Sequence, residues 1–339
     1  MGIEWKKKDL LGLETLSKEE IEMVLETAKS FKEVSTRDVK KVPALRGKTV
    51  VSLFFEDSTR TRASFELAAK RLSADTINIA AKGSSLSKGE TILDMAKNMQ
   101  AMNVNAIIVR HSSSGVPKLL AENLEAAVIN AGDGCREHPT QALLDMFTIK
   151  EKLGEIKGKK VAIIGDILHS RVARSNIWGL TKLGAQVTVC GPSTLMPIGI
   201  EKLGVKVTHS LNECIAESDV LMLLRIQLER QRDKFLPSLR EYAKEFGINK
   251  EKLKKAKKNV LIMHPGPTNR GLELSADVAD GEYSVILDQV TNGIAIRMAI
   301  LYLLLAGKAP TLALARSVSR PNPPSADKRR ERLSTEGES

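Results

Sequence analysis

Residues 54–66 read FFEDSTRTRASFE. Two phenylalanines close an apolar run, and an amphipathic helical pattern opens at the other end. Between them stand Ser58, Thr59, Arg60, Thr61 and Arg62, with no acid from Ser58 until Glu66. Where a strand meets a helix, the first backbone N–H groups of the helix lack partners within it, and the helix dipole favours an anion. Hydroxyls add donors, and a guanidinium offers a planar fork suited to phosphate oxygens. The stretch therefore fits a phosphate cradle. A capped helix with surface arginines is the ordinary alternative, because serine and threonine are common caps.

Other residues of the same chemistry recur at similar places. Arg110 follows the apolar run 106–109, and GDGCREHPTQ puts His138 and Gln141 at the start of a helix. Open α/β sheets bind ligands just beyond the carboxyl ends of their strands, which is where these residues fall. His138 has a plain alternative as a capping or packing histidine. Arg225 stands four residues before Glu229, so a surface ion pair is open to it. The polar run GSSLSKGE, with Ser85 and Lys88, reads on its own as a surface turn. Cys135 reads as a packed thiol, since nothing local lowers its pKa.

The elements that must hold these residues alternate. Residues 16–31 carry apolar positions at helical spacing, with Ser17 and Glu20 forming a capping box. Strands are expected at 49–55, 76–79, 106–109 and 127–129, and helices at 63–72 and 138–152, the latter with Pro139 in its first turn. After Gly158 a second series begins with VAIIG, AQVTVCG, DVLMLL and NVLIMH. A long apolar helix is expected at 290–306. The pattern predicts an α/β protein of two doubly wound parallel-sheet domains joined by helices, with the C-terminal helix packing back across both. The expected divisions are 1–149, 150–289, 290–309 for the returning helix, and 310–339 as a polar, proline-rich disordered tail. VAIIGDILHSRVARSN has one glycine where a dinucleotide fingerprint needs three, so a nicotinamide cofactor is disfavoured.

Composition narrows the classes. With 339 residues, 42% hydrophobic and 27% charged, the chain suits two ordinary globular domains. The net charge of +11 is concentrated near 250–258, which reads as a solvated helix face, and in the tail. Aromatics are 4%, too few for stacking platforms on single strands, so nucleic acid is not expected. Part of the charge suits anionic small substrates. No uninterrupted apolar run is long enough to span a bilayer, and MGIEWKKKDLLG lacks the apolar core of a secretory signal. Cys135, Cys190 and Cys214 are odd in number and widely spaced, which argues against a disulfide framework or structural zinc and for a reducing cytoplasm.

Taken in order, FFEDSTRTRASFE, GSSLSKGET, VRH, GDGCREHPTQALLD, GDILHSRVARS, LLRIQLER and MHPGPTNRG resemble the aspartate/ornithine carbamoyltransferase family, on its aspartate side, over almost all of residues 5–307. The resemblance implies transfer of the carbamoyl group of carbamoyl phosphate to L-aspartate, with no cofactor, metal or side-chain nucleophile. It implies that Ser58, Thr59, Arg60 and Thr61 hold the phosphate. Thr61, Arg110 and His138 would meet the carbamoyl oxygen, and Gln141 with the turn at Pro265 and Gly266 would bind its NH2. Arg171, Arg225 and Gln227 would bind aspartate. Ser85 and Lys88 would reach into a neighbouring subunit's site in a homotrimer. A cis peptide is expected at Gly266-Pro267. Gly266 stands where some relatives have leucine, so an apolar contact over the substrate is expected to be missing. Asp57 is out of place beside a phosphate unless its side chain turns away. The resemblance allows regulatory chains or a dihydroorotase as partners. Ornithine carbamoyltransferase is the nearest rival, although His264-Pro265-Gly266-Pro267 stands where that enzyme has His-Cys-Leu-Pro. A non-catalytic scaffold homologue is another.

Overall fold

The structure, a computed structural model, describes residues 4–80, 89–227 and 235–306. The first half runs α1 (Lys18–Val34), β1 (Thr49–Phe54), α2 (Thr59–Arg71), β2 (Asp75–Ala80), α3 (Ile92–Ala101), β3 (Ala106–His111), α4 (Val116–Asn123), β4 (Ala127–Asp133) and α5 (Pro139–Leu153). The second runs β5 (Lys160–Ile164), α6 (Arg171–Lys182), β6 (Gln186–Cys190), β7 (Lys206–Thr208), α7 (Leu211–Glu217), β8 (Val220–Leu223), α8 (Leu239–Phe246), α9 (Lys250–Leu253), β9 (Leu261–Met263) and α10 (Ala276–Ala279). The chain then returns in α11 (Ile286–Ala306).

Two parallel sheets result, in the orders β2-β1-β3-β4 and β7-β6-β5-β8-β9. Their strands are near-continuous apolar runs because helices cover both faces; β1 is buried from Val50 to Phe54 and β4 throughout. In the first sheet the strand order reverses between β1 and β3, and in the second between β5 and β8. Such switch points open a crevice at the carboxyl ends of the strands.

Between the sheets lies α5, buried from Pro139 through Ile149. Its apolar surface has no solvated face, so it reads as a central core helix. One hydrophobic core runs through both halves, joining Phe65 and Ile129 to Ile163, Ile177 and Ile300. Each such fully buried side chain contributes about 1.5–3 kcal/mol. The expected capping box of α1 is present, and Phe31 meets Tyr302 of α11 edge-on, ring centroids 5.5 Å apart.

Several expectations are corrected. α2 begins at Thr59 rather than 63, so the hydroxyl-rich stretch is the first turn of the helix. α5 runs from Pro139 to Leu153 rather than from 138 to 152. α11 starts at Ile286 rather than 290. It has 21 residues and meets the length and composition of a membrane-spanning helix, but 67% of its apolar window is buried inside the protein. Buried Gln289, Asn292 and Arg297 make it a core helix. The short strand β7 was not anticipated, and α9 spans only part of the basic stretch. The segment 310–339 lies outside the described residues.

Candidate active site

The two switch points face one cleft of about 780 Å³. Ser58, Thr59, Arg60 and Thr61 line one wall at the start of α2, and Arg110, His138 and Gln141 continue it. Arg171, Arg225, Gln227, Pro265 and Gly266 line the other wall. Every expected site residue among the described residues is thus in one place. Ser85, Lys88 and Glu229 lie outside the described residues.

Local structure explains the phosphate wall. The chain leaves β1 at Phe54, and the Phe55 N–H donates to the Arg110 carbonyl at 2.9 Å, holding the two strand ends together. Ser58 is the N-cap of α2, yet its hydroxyl makes no capping bond, and the first turn holds no acid. The plain capping alternative is therefore not realised, and the hydroxyl stays available to a ligand. Partial burial holds the Arg60 guanidinium below its ordinary value, and the charge of Arg225 adds to this. Two guanidiniums that repel across a cleft gain when an anion enters between them.

Gly266 has a φ of +61°, and a Cβ built there would lie 2.0 Å from Arg60 Nη1. The space above Gly266 is taken by the Arg60 guanidinium. The Gly266–Pro267 peptide is cis, as expected. Asp57 is exposed at the cleft edge.

Glu56 joins the halves. Its Oε2 accepts from Arg110 Nε at 3.1 Å and from Arg171 Nη2 at 2.5 Å. Arg171 is 3% exposed and lies against Gly132 of β4, whose φ of +118° and missing side chain let the guanidinium cross from the second half. Arg171 thus braces the cleft as well as lining it. No local pattern marks Glu56, because its partners are 54 and 115 residues away.

The remaining groups are held by backbone contacts. The buried His138 caps α5 without a side-chain capping bond, and its N–H donates to Ser175 Oγ at 2.8 Å. Arg225 follows β8 on a segment anchored by Ile226 N–H to Glu273 Oε1 at 3.1 Å and Gln227 N–H to Asp166 Oδ2 at 3.3 Å. The Gly266 N–H donates to His264 Nδ1 at 2.8 Å, which puts the neutral ring's proton on Nε2. Burial pushes His264 down to about 3, aided by the charges of Arg60 and Arg225. Cys135 is a half-buried free thiol.

Family models describe the same two halves. The carbamoyl-phosphate-binding domain of aspartate/ornithine carbamoyltransferases matches residues 8–151, and the Asp/Orn-binding domain matches residues 157–304. The chain belongs to the aspartate/ornithine carbamoyltransferase family. Within the family, the chain is 60% identical over 302 residues to the aspartate carbamoyltransferase catalytic subunit of Syntrophus aciditrophicus, covering 89% of this chain and 98% of that one. The aspartate transcarbamoylase of Trypanosoma cruzi, solved with carbamoyl phosphate and aspartate, superposes with a TM-score of 0.81 at 31% identity, covering 89% of this chain and 98% of that one. The ornithine carbamoyltransferase of Pyrococcus furiosus gives 0.80 at 34% identity, covering 90% and 99%. The family fold does not by itself separate the two second substrates.

Proposed function

We infer that this chain is an aspartate carbamoyltransferase catalytic chain. The observation that carries the inference is the one cleft that Arg60, Arg110, Arg171, Arg225 and Arg297 line together with His138 and Gln141. Carbamoyl phosphate and aspartate together bring a phosphate and two carboxylates, which this wall of positive charge suits. Ornithine's cationic side chain would gain nothing from Arg225. The high identity to a relative named for aspartate supports the same side of the family.

In this reading phosphate sits at the first turn of α2, held by Ser58, Thr59, Arg60 and Thr61. Thr61, Arg110 and His138 surround the carbamoyl oxygen. Gln141 and the Pro265 carbonyl accept from its NH2. The aspartate amine, its carboxylates held by Arg171, Arg225 and Gln227, attacks the carbamoyl carbon. Charge grows on the oxygen, where preplaced donors stabilise it. The carbon–oxygen bond to phosphate then breaks, and the proton lost by the amine ends on phosphate. N-carbamoyl-L-aspartate is released toward pyrimidine synthesis. Holding both reactants in one cleft removes most of the entropic cost of their encounter.

The loop with Ser85 and Lys88 completes a neighbouring subunit's cleft in a homotrimer. The added ammonium favours the departing phosphate. The free cysteines fit a reducing cytoplasm. Incubating the protein and carbamoyl phosphate with aspartate or with ornithine tests the reading. N-carbamoyl-L-aspartate is expected; citrulline as the main product would reverse it.

A further inference from the structure

Asp145 lies one turn beyond Gln141 on α5 and is fully buried between the two halves of the protein. Three amides on three helices donate to it. Gln141 Nε2 of α5 and Gln289 Nε2 of α11 reach Oδ1 at 2.9 Å and 2.8 Å, and Asn176 Nδ2 of α6 reaches Oδ2 at 2.8 Å. The buried Arg297 guanidinium of α11 supplies the nearby positive charge. Burying a carboxylate is costly, and apolar residues fill a core as well or better. A charge kept here calls for a use beyond packing.

That use follows from donor and acceptor chemistry. An ionised carboxylate only accepts, so each neighbouring amide must turn its NH2 toward Asp145 and its oxygen away. Gln141 lines the cleft, so Oε1 is the atom left for it to offer there. Gln289 uses its own Oε1 to accept the His264 N–H at 3.0 Å, fixing the chain that leads into Pro265. We propose that Asp145 is a positioning residue that orients both acceptors for the substrate's NH2, directly through Gln141 and, through Gln289 and His264, at the Pro265 carbonyl. The proposal rests on the carbamoyl-phosphate reading of the cleft. It predicts that Asp145 governs recognition of the amide end of the ligand and leaves the phosphate end alone.

The test uses the full chain and two probes in calorimetry: inorganic phosphate, and phosphonoacetamide, a stable molecule carrying the same CO–NH2 group. In Asp145→Leu, affinity for phosphonoacetamide should fall at least about tenfold, the cost of losing the oxygen that both glutamine amides face. Affinity for phosphate should stay within about twofold, because that end meets α2 instead. Adding Gln141→Ala to Asp145→Leu should lose much less than it does in the wild type, since the two act as one unit. Equal weakening of both probes, no change in either, or full additivity would overturn the positioning role. Should Asp145→Leu fail to fold, Gln289→Met is the deciding variant. It should show the same selective loss through His264, and intact amide selectivity there overturns the proposal. If the wild type binds phosphonoacetamide no better than phosphate, the carbamoyl-phosphate reading itself fails, and this proposal with it.

Discussion

At the scale of single residues, charge placement dominates. Arg60 stands where its guanidinium meets both α2 and the opposite wall, yet contributes no core volume. Arg60→Ala should lower kcat by about 10²–10³-fold with an unchanged melting temperature, because it removes a preplaced donor rather than packing. Arg225→Ala should instead raise KM for aspartate far more than that for carbamoyl phosphate. Steady-state kinetics on both variants checks the contrast. His264 supplies a pH signature. Its folded-state pKa of about 3 lies below the ordinary 6.5, so the unfolded chain binds more protons between these values. Stability from this group is present above about pH 6.5 and is lost as pH falls toward about 3. Asp145, raised from 3.8 to about 6, has the opposite sign and costs stability as pH rises through that window. His264→Asn should therefore lose less melting temperature than the wild type between about pH 7 and about pH 4. An equal or greater loss would contradict the buried neutral ring.

At the scale of elements, the cleft depends on close approach between α2 and the turn after β9. Gly266→Ala should force either its backbone out of positive φ, at about 1 kcal/mol, or Arg60 away from its seat. The expected outcome is about a tenfold loss in kcat/KM for carbamoyl phosphate with a small drop in melting temperature. Unchanged kinetics would show that Arg60 does not need that seat. The sequence made much of this scale readable. α1 was plain because a capping box and helical spacing agree, and the buried strands were plain because covered parallel strands are continuous apolar runs. The start of α2 was placed four residues late because Ser and Thr, which prefer caps and turns, fill its first turn. The three-residue β7 is too short to leave a pattern. Asp145 sat unremarked within a helical run, since only Asn176 and Gln289 from distant helices reveal what it does. Glu56 was hidden likewise by long-range partners.

At the scale of the whole molecule, two sheets that could each bind a ligand alone share one opening, and α5 and α11 hold them in one core. The proposal that a neighbour's Lys88 completes that opening is testable without further structure. Arg60→Ala and Lys88→Ala chains, each nearly inactive alone, should regain part of the wild-type activity when mixed and allowed to exchange subunits. Exchange without recovery would return the Lys88 loop to an ordinary surface turn. Phosphate and aspartate held side by side in one cleft should bind far more tightly when joined. Calorimetry with N-(phosphonacetyl)-L-aspartate, which joins a phosphonate to aspartate, should give binding at least about 10²-fold tighter than phosphate alone, since linking two ligands removes the cost of bringing them together. Arg60→Ala and Arg225→Ala should each abolish most of that gain. Binding no tighter than phosphate alone would contradict the shared cleft.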